Sequence, residues 1–507
     1  MVVMSSQKRH FILVGTFLTF LLTVSYYQYS TNPERTSQYL SNDLQQQKDK
    51  SLSSSLDTPP VLSHKTIITK NRACDKGDIH WLASDREHWD GWGTKSFFLQ
   101  PDGNFTVKNV YAEEGVELCV VVLLGPVPAP SKIKVEPHFA PPDIITMTAV
   151  GKHYTIPITL HQYPKQNNAY YANVYLKHSD DYTLKATSEY RSYFYEVPIQ
   201  HRYQPYSFDS SNIAIIHPTS SSAALMTLNN NDDDNISLPT CNVMDQSIQG
   251  SWKNETNQYQ FIPDHCNLFY TRHDGLQCLG KKTIHVWGDA NMRRNLKVLA
   301  SPEWCNDSDP EARCICNDDL EDPDQELYPW ANNHLIPLTI GENTIHFNGV
   351  NSITLQDWRP EIQKRVQQDF KDEPKADVVI VNVGNEDIGL NRMTPNQFAI
   401  SLTDLIQDML THVYPEEHQK IILRTPQFFG TGDFYSTAWN AGRSRAFANV
   451  VRDLVGDWHH PRLFLWDTHQ LGMEYNTCRF QGTLYTKRNV LDIENQLLYN
   501  LLCNYSV

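Results

Sequence analysis

The sequence predicts an α/β domain with a parallel sheet flanked by helices, preceded by an all-β sandwich domain. Between residues 96 and 199, short runs of β-branched and aromatic residues are separated by Pro, Gly, Asn and Asp, with no helical stretch. From residue 283 onward, apolar strand-like runs alternate with amphipathic helical segments, which is typical of a parallel sheet covered on both faces. With 40% hydrophobic residues over 507 positions, the chain can form cores for two or three domains.

The predicted sandwich occupies residues 74–215, and a linker rich in Ser, Asn and Asp follows at 216–237. Its runs share a high content of Val, Ile, Thr, Tyr and Phe, which favour extended backbone. We expect strands over 96–100, 105–112, 117–124, 132–136, 144–150, 154–161, 170–178, 182–190 and 192–199.

The predicted α/β domain occupies residues 238–507. Its clearest helix start is Thr394-Pro395, a favourable pair for the N-cap and the first helical position. In an open parallel sheet, the ligand site lies at the carboxyl ends of the strands. We expect strands over 283–287, 376–383, 420–424 and 463–466, and helices over 291–300, 360–370, 394–409, 441–458 and 488–502.

The N-terminal region predicts entry into the secretory pathway. An apolar run at 11–27 follows Lys8 and Arg9, and no charge follows it before Glu34, so the positive-inside rule places residues 1–10 in the cytoplasm. We expect a transmembrane signal anchor at 11–27 and a disordered stem at 28–73, as in a single-pass type II membrane protein. A cleaved signal peptide is the alternative, and it leads to a secreted or cell-surface protein.

Cysteines and glycosylation motifs agree with that compartment. The chain has 10 cysteines, an even number that suits a disulfide framework whose pairing the sequence leaves open. Acceptor motifs for N-glycosylation occur at Asn104, Asn235, Asn254, Asn306 and Asn504.

Charge and composition exclude two classes of function. The net charge of −15 argues against nucleic acid as a partner, because binding to phosphates requires stripes of Lys and Arg. A mean hydropathy of −0.49 with a single apolar run excludes a polytopic membrane protein. The acidic run over 306–326 lacks the spacing of an EF-hand loop, so no metal site is predicted.

Polar residues follow the predicted strands of the α/β domain at the edge where a ligand site is expected. The first strand runs into Gly288-Asp289, and Arg293 follows on the helix. Another strand ends in Gly384-Asn385, where an exposed Asn side chain is a candidate donor to an oxyanion. These residues are the candidate ligand-binding set, with Asp289 also a candidate helix cap. Asp467 and His469 close the last strand, and alternate positions on a strand point the same way, which makes them a candidate acid–base pair.

Residues 238–507 also contain a characteristic set of Cys, Gly and aromatic residues ahead of the Gly-Asp turn. The set comprises Cys241, Gly250, Trp252, Tyr259, Cys266, Cys278, Gly288, Asp289 and Arg293. With this set, the region resembles the PC-esterase branch of the SGNH/GDSL hydrolase superfamily, which includes trichome-birefringence-like and neurexophilin-and-PC-esterase-domain proteins. The resemblance implies an SGNH-like, flavodoxin-like sheet, a Golgi location, and addition or removal of acetyl groups on glycans.

The chain departs from that family at the catalytic positions. Where the resemblance implies a Ser nucleophile after Gly-Asp, this chain has Ala290. Where it implies Asp-x-x-His before the last helix, the corresponding residues are Gln481 and Leu484, and no His follows residue 469. A methyl group cannot attack a carbonyl, and loss of a triad member typically costs ~10⁴ in rate.

Three hypotheses follow. In the first, the protein is a degenerate pseudoenzyme that binds a glycan or polysaccharide, or a glycan-modifying enzyme, in acylation. In the second, it is an active O-acyltransferase or acetylesterase that uses Asp467 and His469. In the third, it acts in adhesion or assembly through the β-sandwich. No cofactor is implied, apart from an acetyl donor for an active transferase.

Overall fold

The computed structural model describes residues 72–76, 95–99, 104–106, 108–124, 144–163, 169–190, 206–217, 239–241, 248–255, 258–264, 266–268, 278–300, 338–350, 353, 364, 375–389, 393–429, 439–471, 477–480, 483–486 and 488–504. Ile68–Val507 form one compact unit. The predicted tail and membrane segment and the stem up to residue 71 lie outside the described residues. Within the described ranges, no helix is long and apolar enough to cross a bilayer.

The described elements are mainly strands in the first half and alternate between strands and helices in the second. The strands are β1 (Lys95–Leu99), β2 (Phe105–Thr106), β3 (Val110–Glu113), β4 (Glu117–Leu123), β5 (Ile144–Val150), β6 (Tyr154–Ile158), β7 (His161–Gln162), β8 (Ala169–Tyr175), β9 (Asp180–Tyr190), β10 (Tyr206–His217), β11 (Gly250–Glu255), β12 (Gln258–Pro263), β13 (Thr283–Gly288), β14 (Leu338–Ile340), β15 (Asn343–Gly349), β16 (Val378–Asn382), β17 (Lys420–Arg424), β18 (Leu463–Trp466), β19 (Thr477–Phe480) and β20 (Thr483–Thr486). The helices are α1 (Ala290–Ala300), α2 (Asn385–Gly389), α3 (Pro395–Asp408), α4 (Ala441–Trp458) and α5 (Arg488–Asn504), with short 3₁₀ turns at Ala73–Lys76 and His469–Leu471 and a π-helical turn at Met409–Val413.

Two mainly antiparallel sheets make up the first half. One has the order β2-β1-β4-β8-β7, and the other has the order β12-β11-β6-β5-β9-β10-β3. A single hydrophobic cluster takes buried residues from both sheets, so their inner faces share a core. Its members include Phe98, Val120, Val122, Tyr170, Met147, Ile156, Tyr182 and Ile216.

Two predicted strands are divided in the structure, because alternation of side chains does not tell which sheet a segment joins. The run at 105–112 becomes β2 and β3, and the run at 154–161 becomes β6 and β7, with each pair split between the two sheets. β10 extends to His217, into the range assigned to the linker. The predicted strands at 132–136 and 192–199 lie outside the described residues.

The hairpin β11–β12 joins the seven-stranded sheet, although its residues follow the predicted linker. β11 pairs with β6 through Trp252 opposite Thr155 and Lys253 opposite Tyr154. The Trp252 side chain is fully buried, and its Nε1 donates to the Leu471 carbonyl at 3.2 Å. This hairpin therefore connects the β-rich half to the loop that follows the last parallel strand.

The third sheet has the order β14-β15-β13-β16-β17-β18, and all its strands are parallel except β14. Counted from β13, the parallel strands follow the doubly wound, flavodoxin-like order 2-1-3-4-5. The predicted parallel sheet is therefore confirmed, whereas β14, β15 and α2 were not predicted. The predicted helix at 360–370 is described only at Lys364, which is helical.

Helices cover both faces of this sheet, each through an apolar stripe. α1 and α5 pack on one face, and α3 and α4 pack on the other. α3 begins with the predicted N-cap Thr394, whose side chain forms a capping box with Gln397. The stripes include Met292, Leu296, Val490 and Leu498 on the first face and Phe398, Leu402, Phe447 and Val451 on the second.

Three disulfides confirm the predicted oxidised framework. They join Cys74 to Cys119, Cys241 to Cys266, and Cys278 to Cys503. The last bond closes a sequence separation of 225 residues and fixes the end of α5 to the segment before β13.

Candidate functional site

Two glycines allow the chain to bend tightly at the carboxyl edge of the parallel sheet. A Cβ on Gly288 would lie 2.7 Å from the Met292 Cβ, closer than side chains pack. Gly384 has φ +112°, and a Cβ there would lie 2.9 Å from Pro426 Cγ and 3.0 Å from Phe398 Cζ. Both positions therefore require glycine, one for space and the other for backbone conformation as well.

Asp289 holds the turn between β13 and α1. Its Oδ1 accepts the backbone N–H groups of Asn291 at 3.0 Å and Met292 at 3.2 Å, which caps the helix. The same oxygen accepts the side-chain amide of Asn382 at 3.2 Å, and Oδ2 accepts that of Asn385 at 2.7 Å. One carboxylate thus joins two neighbouring strand ends and the start of a helix.

The Asp289 carboxylate is buried and is surrounded by hydrogen-bond donors. The residue is 4% exposed, and burial raises the pKa of its carboxyl, while the hydrogen bond from Asn385 and the nearby charge of Arg424 act in the opposite direction. Four N–H groups donate to the two oxygens, the pattern of an ionised carboxylate that acts only as acceptor. The predicted capping role therefore accounts for its contacts.

Asn385 is fixed by three hydrogen bonds in the structure. Its Nδ2 donates to Asp289, its Oδ1 accepts the Gln427 N–H at 3.0 Å, and its carbonyl accepts Trp439 Nε1 at 2.9 Å. Nδ2 carries two hydrogens, and Asp289 takes one of them. The second hydrogen is the one that an acyl oxygen would accept.

A buried network of polar side chains extends from Asn382, and the sequence analysis did not predict it. Arg424 donates to Asn382 Oδ1 at 3.0 Å and to Glu494 Oε2 at 2.8 Å, and the side chains of this ion pair are 0% and 2% exposed. Asn295 also donates to Glu494 at 2.8 Å. The available signal was a charged residue at the end of the otherwise apolar strand 420–424.

Arg293 and Ala290 lie on the first turn of α1. Arg293 is 8% exposed, and its backbone N–H donates to the Asp289 carbonyl at 3.0 Å. Ala290 is the first residue of the helix, directly after the capping carboxylate. The helix position that follows the Gly-Asp turn therefore has no nucleophilic side chain.

Asp467 is engaged by an arginine. Arg452 donates to it bidentately, with Nε 2.7 Å from Oδ2 and Nη2 2.9 Å from Oδ1. The Thr425 hydroxyl donates to Oδ1 at 3.2 Å. Of the residues that the structure describes, Arg452 and Thr425 are thus the side chains bonded to Asp467, and His469 is not among them.

His469 contacts a serine. Its Nε2 lies 3.3 Å from Ser444 Oγ, and Ser444 Oγ donates to the Ala441 carbonyl at 3.1 Å. The direction of the His469–Ser444 hydrogen bond follows the tautomer of the imidazole, since the hydroxyl can donate or accept. Burial, followed by the charges of Arg452 and Arg445, holds the pKa of His469 well below its usual value. The low pKa favours the neutral imidazole at this position.

The remaining predicted positions lie in other elements or are incompletely described. Leu484 lies in β20 opposite Arg479 of β19, and Asn104 is exposed. No group of His, Cys, Asp and Glu in the described part of the chain is arranged to hold a metal ion. Outside the described residues lie Gln481, Asn235 and Asn306, whereas Asn254 in β11 and Asn504 at the end of α5 are described in the backbone alone.

Glu386 lies beside the candidate site and was missed in the sequence. It follows Asn385 on α2, and its Oε2 is buried with no hydrogen-bond partner in the described part of the chain. Burial and the charges of Asp289 and Asp387 raise the pKa of its carboxyl to about 7. No sequence signal distinguished it from an ordinary exposed acid on a helix.

Of the comparisons with known proteins, the one with solved structures found similar proteins. No protein-family model and no curated protein matches this chain. Similar solved structures include the carbohydrate acetylesterase Est24 from Sinorhizobium meliloti, at 13% identity over 43% of this chain and 97% of that chain, with a TM-score of 0.27. Others are a G-D-S-L-family lipolytic protein from Desulfitobacterium hafniense (12% identity, 44% and 99%, TM-score 0.24) and an acetyl xylan esterase (15% identity, 44% and 100%, TM-score 0.26). Identities and TM-scores this low carry no argument about family.

Proposed function

We propose that this chain is an SGNH-like protein of the PC-esterase branch that binds an acylated glycan, or a glycan-modifying enzyme, without catalysing acyl transfer. Its support is the flavodoxin-like strand order together with the Gly288-Asp289 turn and Asn385 at one edge of the sheet. The observation that carries the proposal is Ala290, because the helix start beside Asp289 and Asn385 has no group that can attack a carbonyl.

In this proposal, Asp467 and His469 after the last parallel strand do not replace the missing catalytic residues. Asp467 is paired with Arg452 and bonded to Thr425 rather than to His469, so the acid and the base are not connected in a relay. An active acyltransferase or acetylesterase that uses Asp467 and His469 is therefore the weaker candidate. Among the described residues of the β-rich half, no contact favours adhesion or assembly over glycan binding.

The proposed setting is the lumen of the secretory pathway, with residues 11–27 as a signal anchor of a type II Golgi protein. The three disulfides agree with an oxidising compartment. A secreted or cell-surface protein remains the alternative to be distinguished by N-terminal sequencing of the mature chain.

The test measures acetyl-ester hydrolysis and binding of acetylated oligosaccharides by the purified protein. We expect binding but no turnover above buffer, and gain of turnover in Ala290→Ser/Leu484→His would indicate a pocket that lacks only its catalytic groups. The matched control is His469→Ala. Clear turnover by the unmodified protein, abolished by His469→Ala, would refute the proposal.

A further inference from the structure

Glu386 is placed to touch whatever occupies the carboxyl edge of the sheet. It lies on the turn after the central strand β16, next to Asn385, whose amide is 2.7 Å from Asp289. The side chain is partly buried. Of its two carboxyl oxygens, only Oε2 is both inaccessible to solvent and without a hydrogen-bond partner in the described part of the chain. Its other oxygen, Oε1, is therefore the one available to a ligand.

The surroundings of Glu386 favour its uncharged form. Ionisation would place charge on a sealed oxygen that has no donor, which is unfavourable in a medium of low polarity. Two further carboxyl groups act on it, Asp289 from the β13–α1 turn and Asp387 from its own helix. Asp289 accepts four N–H groups, the pattern of a carboxylate, and its charge opposes ionisation of Glu386.

Two buried arginines on neighbouring elements donate hydrogen bonds to other residues. Arg424 on β17 is bonded to Asn382 and Glu494. Arg443 on α4 donates to the carbonyls of Ile388 and Met393 at the other end of α2. In the described part of the chain, Glu386 Oε2 accepts no hydrogen bond from either guanidinium.

A second buried oxygen without a hydrogen-bond partner in the described residues belongs to Asn291, on the first turn of α1. Asn291 is 6% exposed, and its Oδ1 is buried with no hydrogen-bond partner in the described part of the chain. It is one residue beyond Ala290, and its N–H is 3.0 Å from Asp289 Oδ1. Buried acceptors in folded proteins are normally satisfied, so this one points to a donor supplied from outside the chain.

We propose that Glu386 is a ligand-contacting residue that, in its neutral form, donates a hydrogen bond to the acyl carbonyl of an uncharged acylated sugar. The inference rests on the proposed function and adds the ligand class and a residue that selects it. Acidic sugars are disfavoured, because Asp289 and Asp387 repel a carboxylate at this edge.

The test is binding of O-acetylated xylotetraose and of unacetylated xylotetraose by isothermal titration calorimetry from pH 6 to 8. Since the pKa of Glu386 is about 7, its protonated fraction falls about tenfold over this range, and we expect the affinity for the acetylated probe to fall about tenfold. Glu386→Gln, which keeps a donor without titrating, should bind equally well at both pH values. Glu417→Gln, at an exposed site before β17, is the matched control and should keep the unmodified profile.

The possible outcomes test the role of Glu386 separately from the proposed glycan binding. A flat profile in the unmodified protein, an affinity that rises with pH, or a tenfold fall that persists in Glu386→Gln would overturn the role of Glu386 and leave glycan binding intact. Absence of binding at every pH would overturn the proposed function and the inference with it. Thermal unfolding of Glu386→Gln shows that the variant is folded, and the profile of the unmodified protein tests the inference without any variant.

Discussion

Replacing Glu494 with Gln should destabilise the protein strongly, because it leaves Arg424 as an unpaired buried charge. The two side chains are 2% and 0% exposed and 2.8 Å apart, and Asn295 donates to the same Glu494 oxygen at 2.8 Å. Breaking such a pair from one side typically costs about 3–5 kcal/mol. We expect the free energy of unfolding in urea to fall by that amount.

The double variant Arg424→Met/Glu494→Met distinguishes an electrostatic cost from lost packing. Buried ion pairs can often be replaced by apolar residues of similar volume at little cost. Here Asn382 and Asn295 would each lose a partner, so we expect the double variant to remain destabilised, but by at least about 2 kcal/mol less than the sum of the single variants.

The matched control is the exposed pair of Lys375 and Glu416, whose side chains are 73% and 38% exposed. Glu416→Gln should leave the unfolding midpoint unchanged, since solvent screens exposed pairs. The reasoning is refuted if Glu494→Gln costs no more than Glu416→Gln, or if the effects of Arg424→Met and Glu494→Met simply add.

Three further predictions concern the backbone, the acid stability and the β-rich half. Gly384→Ala should cost about 2 kcal/mol or more in unfolding free energy, because its φ is +112° and the new Cβ meets Pro426, whereas Gly456→Ala, with open space around it in α4, should stabilise by about 0.5–1 kcal/mol. Burial, followed by the charge of His346, lowers the pKa of His285 to about 3, so the unfolded chain takes up this proton first as the pH falls below 6.5 and stability declines down to about pH 3. Between pH 7 and 5 this group contributes a loss of about 2 kcal/mol, which His285→Gln should remove from the pH dependence of urea unfolding; an unchanged slope would contradict it. A fragment of residues 74–215 should fail to fold, as judged by NMR dispersion, because it lacks β11, the partner of β6; a dispersed spectrum would show that the hairpin is dispensable.

The sequence predicted the elements whose signals are local. Thr394 and Pro395 mark the start of α3, and the capping box with Gln397 forms as such a pattern requires. The apolar run at 376–383 gave the central strand β16, which is buried along its whole length. Each of these signals resides within a few residues of the element it specifies.

Features set by distant partners were not predictable in this way. β11 pairs with β6, about a hundred residues earlier, and no periodicity in either segment encodes that choice. The alternation of Asp467 and His469 suggested a common direction, but β18 ends at Trp466 and a 3₁₀ turn begins at His469, so strand alternation no longer applies. Arg452, on α4, then takes the carboxylate.

The contacts of Asp289 change what a Gly-Asp turn implies about catalysis. In the triad logic, the acid is hydrogen-bonded to the base that it orients. Here both oxygens of Asp289 are occupied by the cap of α1 and by the amides of Asn382 and Asn385, which fix two strand ends. The fold needs this carboxylate whether or not the neighbouring position holds a nucleophile. A Gly-Asp turn at this edge is therefore evidence for architecture, and the residue that follows it, Ala290, is the one that bears on catalysis.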